Sequence, residues 1–390
     1  MALRRLGECS WSMLRASRVV RTRVLLARPK RGWLESCTGA KRHLLSENVI
    51  KLQNFQQKKL EVAHLATGLK GNFIELFGKK LQKNELILRD ELKLLLHLCQ
   101  SADDMVIAKD AIYRYHSENR NMAFGEFKFG PLFMRLCYEL GQEDMAVAAL
   151  TDESMNGFFN DTTSFNIAID MLFIKESFED ALKVLRTMWK QGVQFNKDTV
   201  LLTAGICYKL NTTESYQIFA SLIDDQLSKG YFIARHAYYF AVALALKQSD
   251  IKKAESFYSQ ITKTDDRLYQ NFKVVILAVS GAVDGAMSIL SATVSPKSPS
   301  FVRKPEFSRE VKNIKPKVDV LRLQTKGGPH MMKVEQIVTQ LEQAGQVSQQ
   351  TLDDMLCRTP KEKSKLAPIM EERRYSRRTL RPLQSILLSE

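Results

Sequence analysis

A small residue returns at nearly constant distance along the middle of this chain. Ala111, Ala146, Ala181, Ser215, Ala254 and Ala286 follow one another at intervals of 35, 35, 34, 39 and 32 residues. A period held in the range of about 20 to 50 residues is the signature of stacked repeats, in which one supersecondary unit packs on the next. Between residues 85 and 293 apolar residues recur with helical spacing, in stretches of about 12 to 16 residues broken by short polar turns. No run of clean period-two alternation stands out, so the reading is all-α: an α-solenoid of helix-turn-helix repeats. Five to six units occupy residues 88–293, after a helical lead-in at 46–87.

The clearest unit is the 35-residue segment from Thr162 to Asn196. Its first helix is expected to start at a Thr163 or Ser164 cap and to bury Phe165, Ile169, Leu172 and Phe173. Its second helix opens near the acids Glu179 and Asp180, which suit the positive end of the helix dipole. That helix sets Ala181, Val184, Leu185 and Met188 on one face and stops at Gly192.

An aromatic followed by Asn, then two acids with Ala-Leu in the second helix, gives Phe165-Asn166 with Glu179-Asp180-Ala181-Leu182. A degenerate copy is Gln270-Asn271 with Asp284-Gly285-Ala286-Met287. These residues resemble the pentatricopeptide repeat family, and the resemblance implies a right-handed α-solenoid. The tetratricopeptide alternative, with a period of about 34 and a Trp, Leu-Gly, Tyr pattern, lacks that pattern here. A repeat array that holds peptides remains the competing class, because both kinds present one concave surface.

The net charge of +15 would invite a polyanion partner if it were spread over the repeats. It is not. Residues 1–45 carry 11 Lys and Arg against Glu8 and Glu35, and residues 295–390 carry 19 against 11 acids, which leaves −2 for the body. Any RNA contact in the repeats must therefore come from one face. The first segment, Arg-rich, acid-poor and without an unbroken apolar core, reads as an organellar transit peptide, here mitochondrial and directed to the matrix. A basic RNA-binding arm is the alternative. Cleavage is expected near Arg42 to Leu45.

Apolar runs such as Val274–Val279 fall far short of the roughly 18 residues that cross a bilayer. The six cysteines lie far apart with no C-x-x-C pair, and the internal ones read as small buried groups. Beyond the repeats, Pro296, Pro299, Pro305 and Pro316 mark a linker over 294–330. A helical pair follows at 331–358, roughly Lys333–Gly345 and Ser348–Cys357, which could cap the solenoid. A basic tail occupies 359–390.

Convergent chemistry is not apparent. Most of the acid pairs Asp103-Asp104, Asp224-Asp225, Asp265-Asp266 and Asp353-Asp354 suit helix starts, and the six histidines show no ligand spacing. Gly327-Gly328 lacks the Lys-Ser or Lys-Thr of a phosphate loop, and residues 294–390 carry no H-x-E with C-x-x-C. The expectation is a protein that is not an enzyme, with no metal site and no cofactor.

What the resemblance implies is single-stranded RNA binding, one base per repeat, read by two or three side chains. Carried over to this sequence, Asn166 and Asn196 form the principal reader, with cytosine ahead of uracil, and neither is expected to be needed for folding. Thr163, Asn271 and Tyr239 are further candidate base readers. Lys209 and Lys247, late in their first helices, match phosphate-facing positions. Arg373, Arg374, Arg377, Arg378 and Arg381 of the tail would add sequence-independent phosphate contacts. Six repeats specify at most about six bases, too short an address, so RNA-processing or ribosomal protein partners are also expected. The function implied is support of processing, maturation or stability of mitochondrial transcripts. The alternative is a scaffold for ribosome or respiratory-complex assembly.

Overall fold

The computed structural model describes residues 43–65, 70–118, 127–262, 264, 266–294, 307–309 and 328–360. Most of the transit segment, most of the linker and the arginines of the tail lie outside the described residues. Within them the chain is all-helical, with a single isolated bridge between Phe307 and Val347.

Three helices lead in: α1 (Glu47–Ile50), α2 (Leu52–Leu65) and α3 (Lys70–Gln82). Six helical hairpins follow. They are α4 (Arg89–Leu98) with α5 (Ala102–Glu118), α6 (Gly130–Leu140) with α7 (Glu143–Thr151), and α8 (Thr162–Ile174) with α9 (Phe178–Lys190). The next are α10 (Lys197–Leu210) with α11 (Thr213–Ser228), α12 (Arg235–Lys247) with α13 (Ile251–Ser259), and α14 (Arg267–Val279) with α15 (Val283–Val294). Two helices close the described chain, α16 (Gly328–Gln343) and α17 (Leu352–Leu356).

The first helix of each hairpin packs on the first helix of the next, from α4 through α14, which makes the array a helical-repeat solenoid. Every one of the six periodic small residues sits in a second helix and is buried. A bulkier side chain there would push the second helix off its partner, which explains why the period is kept by Ala and Ser.

Capping sets the hairpin boundaries. The α8 helix starts at Asp161, whose carboxylate accepts from Ser164 N at 2.8 Å, so the cap lies two to three residues before the Thr163 or Ser164 expected. Asn196 caps α10, the Thr212–Ser215 box caps α11, and Asp250 caps α13. Gly192 and Gly230 take left-handed backbone just past α9 and α11, where an L side chain would be strained.

Second and first helices are buried differently. In α9 one stripe is buried, Ala181, Leu182, Val184, Leu185 and Met188. In α8 the unbroken run Ser164–Phe173 is buried, as are Thr199–Tyr208 in α10 and Ala237–Ala245 in α12. A helix buried all round needs neighbours on every side. Adjacent first helices and the second helices supply three sides. The ends of the chain supply the fourth: α1 lies on α8, α2 on α4 and α6, and α17 on α12 and α14.

The closing pair therefore splits. The first member, α16, packs on α15, and Leu341 and Phe307 join Val274, Ala278, Ala286 and Leu290 in a separate apolar cluster that covers the last hairpin. The second member, α17, turns back along the first helices instead.

Candidate nucleic-acid interface

The two principal readers meet across a repeat boundary. Asn166, on α8, donates from Nδ2 to Asn196 Oδ1 at 3.2 Å, and its own Oδ1 accepts from Thr199 Oγ1 at 2.8 Å. Asn196 Oδ1 also accepts from Asp198 N at 3.0 Å and Thr199 N at 2.8 Å. Asn196 is exposed while Asn166 is 1% exposed. The expectation that neither is needed for folding does not hold, because the Asn196 oxygen holds the first amides of α10, which have no partner within the helix. What the pair still offers is the Asn196 Nδ2 group, a donor on an exposed residue. Thr163 lies half-buried one turn before Asn166.

The other base readers are placed differently. Tyr239 is fully buried, its ring stacked on Phe272 at 5.9 Å between centroids and its hydroxyl donating to Asp266 at 3.3 Å. A ring with no exposed surface stacks on no base, so Tyr239 is core. Burial, and next the Asp266 charge, push its phenol well above the usual range. Asn271 is buried as well: Nδ2 donates to the Arg267 carbonyl at 2.7 Å and Oδ1 accepts from Ser308 N at 2.8 Å. The segment at Phe307–Ser308 folds over it, and a base could reach this amide only by displacing that segment.

Lys209 and Lys247 come together at one end of the first helices, against the ring of Tyr208. Lys247 Nζ stands 3.7 Å over the ring centre, and burial holds its pKa below the usual value. Lys209 Nζ is gripped by both carboxylate oxygens of Asp353, at 3.0 and 2.8 Å. Burial works against the Lys209 charge, but the Asp353 contact and the nearby Cys357 outweigh it and raise its pKa. The five tail arginines lie outside the described residues.

Sequence reasoning missed the groups that hold the chain ends on this face. Asp170, buried in α8, accepts from Leu44 N at 3.0 Å, Leu45 N at 3.1 Å and the Tyr138 hydroxyl at 3.2 Å. Leu44 and Leu45 are buried, so residues placed at the expected cleavage boundary are part of the core. An acid inside the apolar run Ile167–Phe173 was the available signal, since a buried carboxylate must find donors. Among the described residues no group of three or more His, Cys, Asp or Glu could hold a metal ion, and no described helix is long and apolar enough to cross a membrane.

Hairpins of about 35 residues stacked through their first helices, with paired amides at a repeat boundary, define a helical-repeat protein of the pentatricopeptide class. The family model for mitochondrial 28S ribosomal protein S27 matches residues 15–372. A Danio rerio relative is 51% identical over 380 residues, spanning 96% of this chain and 98% of its own length. Relatives from Homo sapiens, 44% identical over 90% of this chain and 89% of theirs, and Mus musculus, 43% over 91% and 92%, carry the same name. The chain belongs to the mitochondrial family of pentatricopeptide repeat-containing protein 2.

Proposed function

We propose that this protein binds single-stranded RNA in the mitochondrial matrix and supports processing, maturation or stability of transcripts, without chemistry of its own. The observation that carries the reading is the Asn166–Asn196 contact, 3.2 Å across a repeat boundary with Asn196 exposed. Because the fold claims Asn196 Oδ1, the group offered outward is a donor. A donor suits the N3 and O2 acceptors of cytosine and not the N3–H of uracil. An Asn196→Asp change keeps an oxygen for the helix cap and offers a second oxygen outward, so preference at one base should move toward uracil. The shift expected is roughly 1 to 3 kcal/mol, the usual worth of a good base contact. Binding of both proteins to oligonucleotides that differ at that single base tests it, and equal affinities for all four bases would mean that this repeat reads nothing.

A second reading, a protein scaffold in ribosome or respiratory-complex assembly, is favoured by the first helices being lined with the chain's own ends and by the match to a ribosomal protein family. Failure of both proteins to bind any oligonucleotide at low salt would favour it.

A further inference from the structure

The segment Thr351–Thr359 lies where the proposed RNA would run. Its helix, α17, is five residues long and packs on α12 and α14. Asp353 takes Lys209 with both oxygens, His236 of α12 donates from Nε2 to the Leu356 carbonyl, and Thr359 Oγ1 donates to the His43 carbonyl at 2.7 Å. The last contact joins this segment to the N-terminal residues that lie on α8, so the two ends meet in front of the first helices.

We propose that Thr351–Thr359 is an intramolecular competitor of RNA, with the Asp353 carboxylate occupying Lys209 in place of a backbone phosphate. The proposal rests on the RNA reading above and adds its regulation. Three features make the segment displaceable. A five-residue helix has no stability of its own, so release is an order-to-disorder step and not the movement of a rigid body. The Lys209–Asp353 pair is partly exposed, at 26% and 37% of the two side chains, so solvent screens it and a phosphate can exchange with the carboxylate. The apolar hold is local: Leu356 and Cys357 are buried, while Thr351–Met355 are only partly so. The array beneath keeps its own core, since the first helices still pack on one another and on the second helices.

Anisotropy titrations of a fluorescein-labelled single-stranded pyrimidine RNA against the full chain test this. A segment closed in about nine molecules of ten lowers apparent affinity about tenfold, so Leu356→Glu, which expels the segment, should bind about tenfold more tightly than the wild type. Asp353→Asn should move the same way by a smaller factor, and adding Lys209→Ala to Leu356→Glu should cancel the gain. Equal affinity of wild type and variants overturns the competitor proposal and leaves the RNA reading standing. No binding by any of them overturns both. If the variants lose their cooperative thermal transition, hydrogen exchange of the wild type decides: amides of residues 352–357 should exchange faster when RNA saturates the protein, and unchanged exchange overturns the proposal.

Discussion

Asn196 serves the fold through its oxygen, and its nitrogen is the group that the proposed RNA reading calls on. Asp170 has no such division. Its carboxylate is wholly buried and gathers the amides of Leu44 and Leu45 with the Tyr138 hydroxyl. Asp170→Ala takes the acceptor from the amides of Leu44 and Leu45, whereas the Tyr138 hydroxyl keeps His43 Nδ1 at 2.7 Å. At about 1 kcal/mol or more for each amide the loss should be roughly 2 kcal/mol, read as a lower denaturant midpoint. A change below about 0.5 kcal/mol would mean the N-terminal residues do not dock there. His236 gives a pH dependence with a definite sign. Burial lowers its pKa below the ordinary value, and burial lowers that of His97 in the same direction. Their contribution to stability is therefore present above the unfolded value of about 6.5 and is lost as pH falls through the folded values. Melting temperature should drop on going from about pH 7.5 to 5.5, and His236→Gln should shrink the drop without abolishing it, because His97 remains. A slope unaffected by His236→Gln would contradict the burial argument. The acid at 170 was visible in the sequence, but its two amide donors lie more than a hundred residues away and Tyr138 lies 32 away, and nothing local identifies them.

Among elements, the second helices were the legible ones. One small residue per period and one apolar stripe gave α9 its face, and Ala181, Val184, Leu185 and Met188 are all buried as the spacing implies. The cover over the first helices is what the sequence reading does not contain. Runs such as Ala237–Ala245 hold apolar residues on every side of the helix, a pattern that calls for a cover. Which segment provides the cover was not legible, because four residues of α1 and five of α17 carry too little periodicity to announce a docking site. Gly205 records the closeness of the cover: a Cβ built there would stand 2.4 Å from Leu44 Cδ1 and 3.2 Å from Phe173 Cε2. Gly205→Ala should thus push Leu44 off α10 at a cost of about 1 to 3 kcal/mol, although alanine is the better helix former by about 1 kcal/mol. Hydrogen exchange at residues 43–50 should rise in that variant, and protection equal to the wild type would show that Leu44 simply shifts aside.

At the scale of the whole molecule, charge and architecture divide the work. The body from 46 to 294 is nearly neutral, whereas residues 1–45 and 295–390 hold the positive charge; under the proposed function, and with the first segment removed on import, long-range attraction for RNA would come from residues 295–390 and selectivity from the repeats. The distribution of charge is legible from the residue counts alone. Under the proposed function, this mitochondrial protein carries single-stranded RNA on its first helices. Ultraviolet crosslinking in intact mitochondria, followed by sequencing of the attached RNA and mass spectrometry of the attached peptides, measures it most directly. Enriched single-stranded pyrimidine-containing footprints are expected, with crosslinked peptides from α8, α10 and the residues around Asn196. Recovery of no more RNA than an unrelated matrix protein gives, or crosslinks confined to the outer second helices, would contradict it.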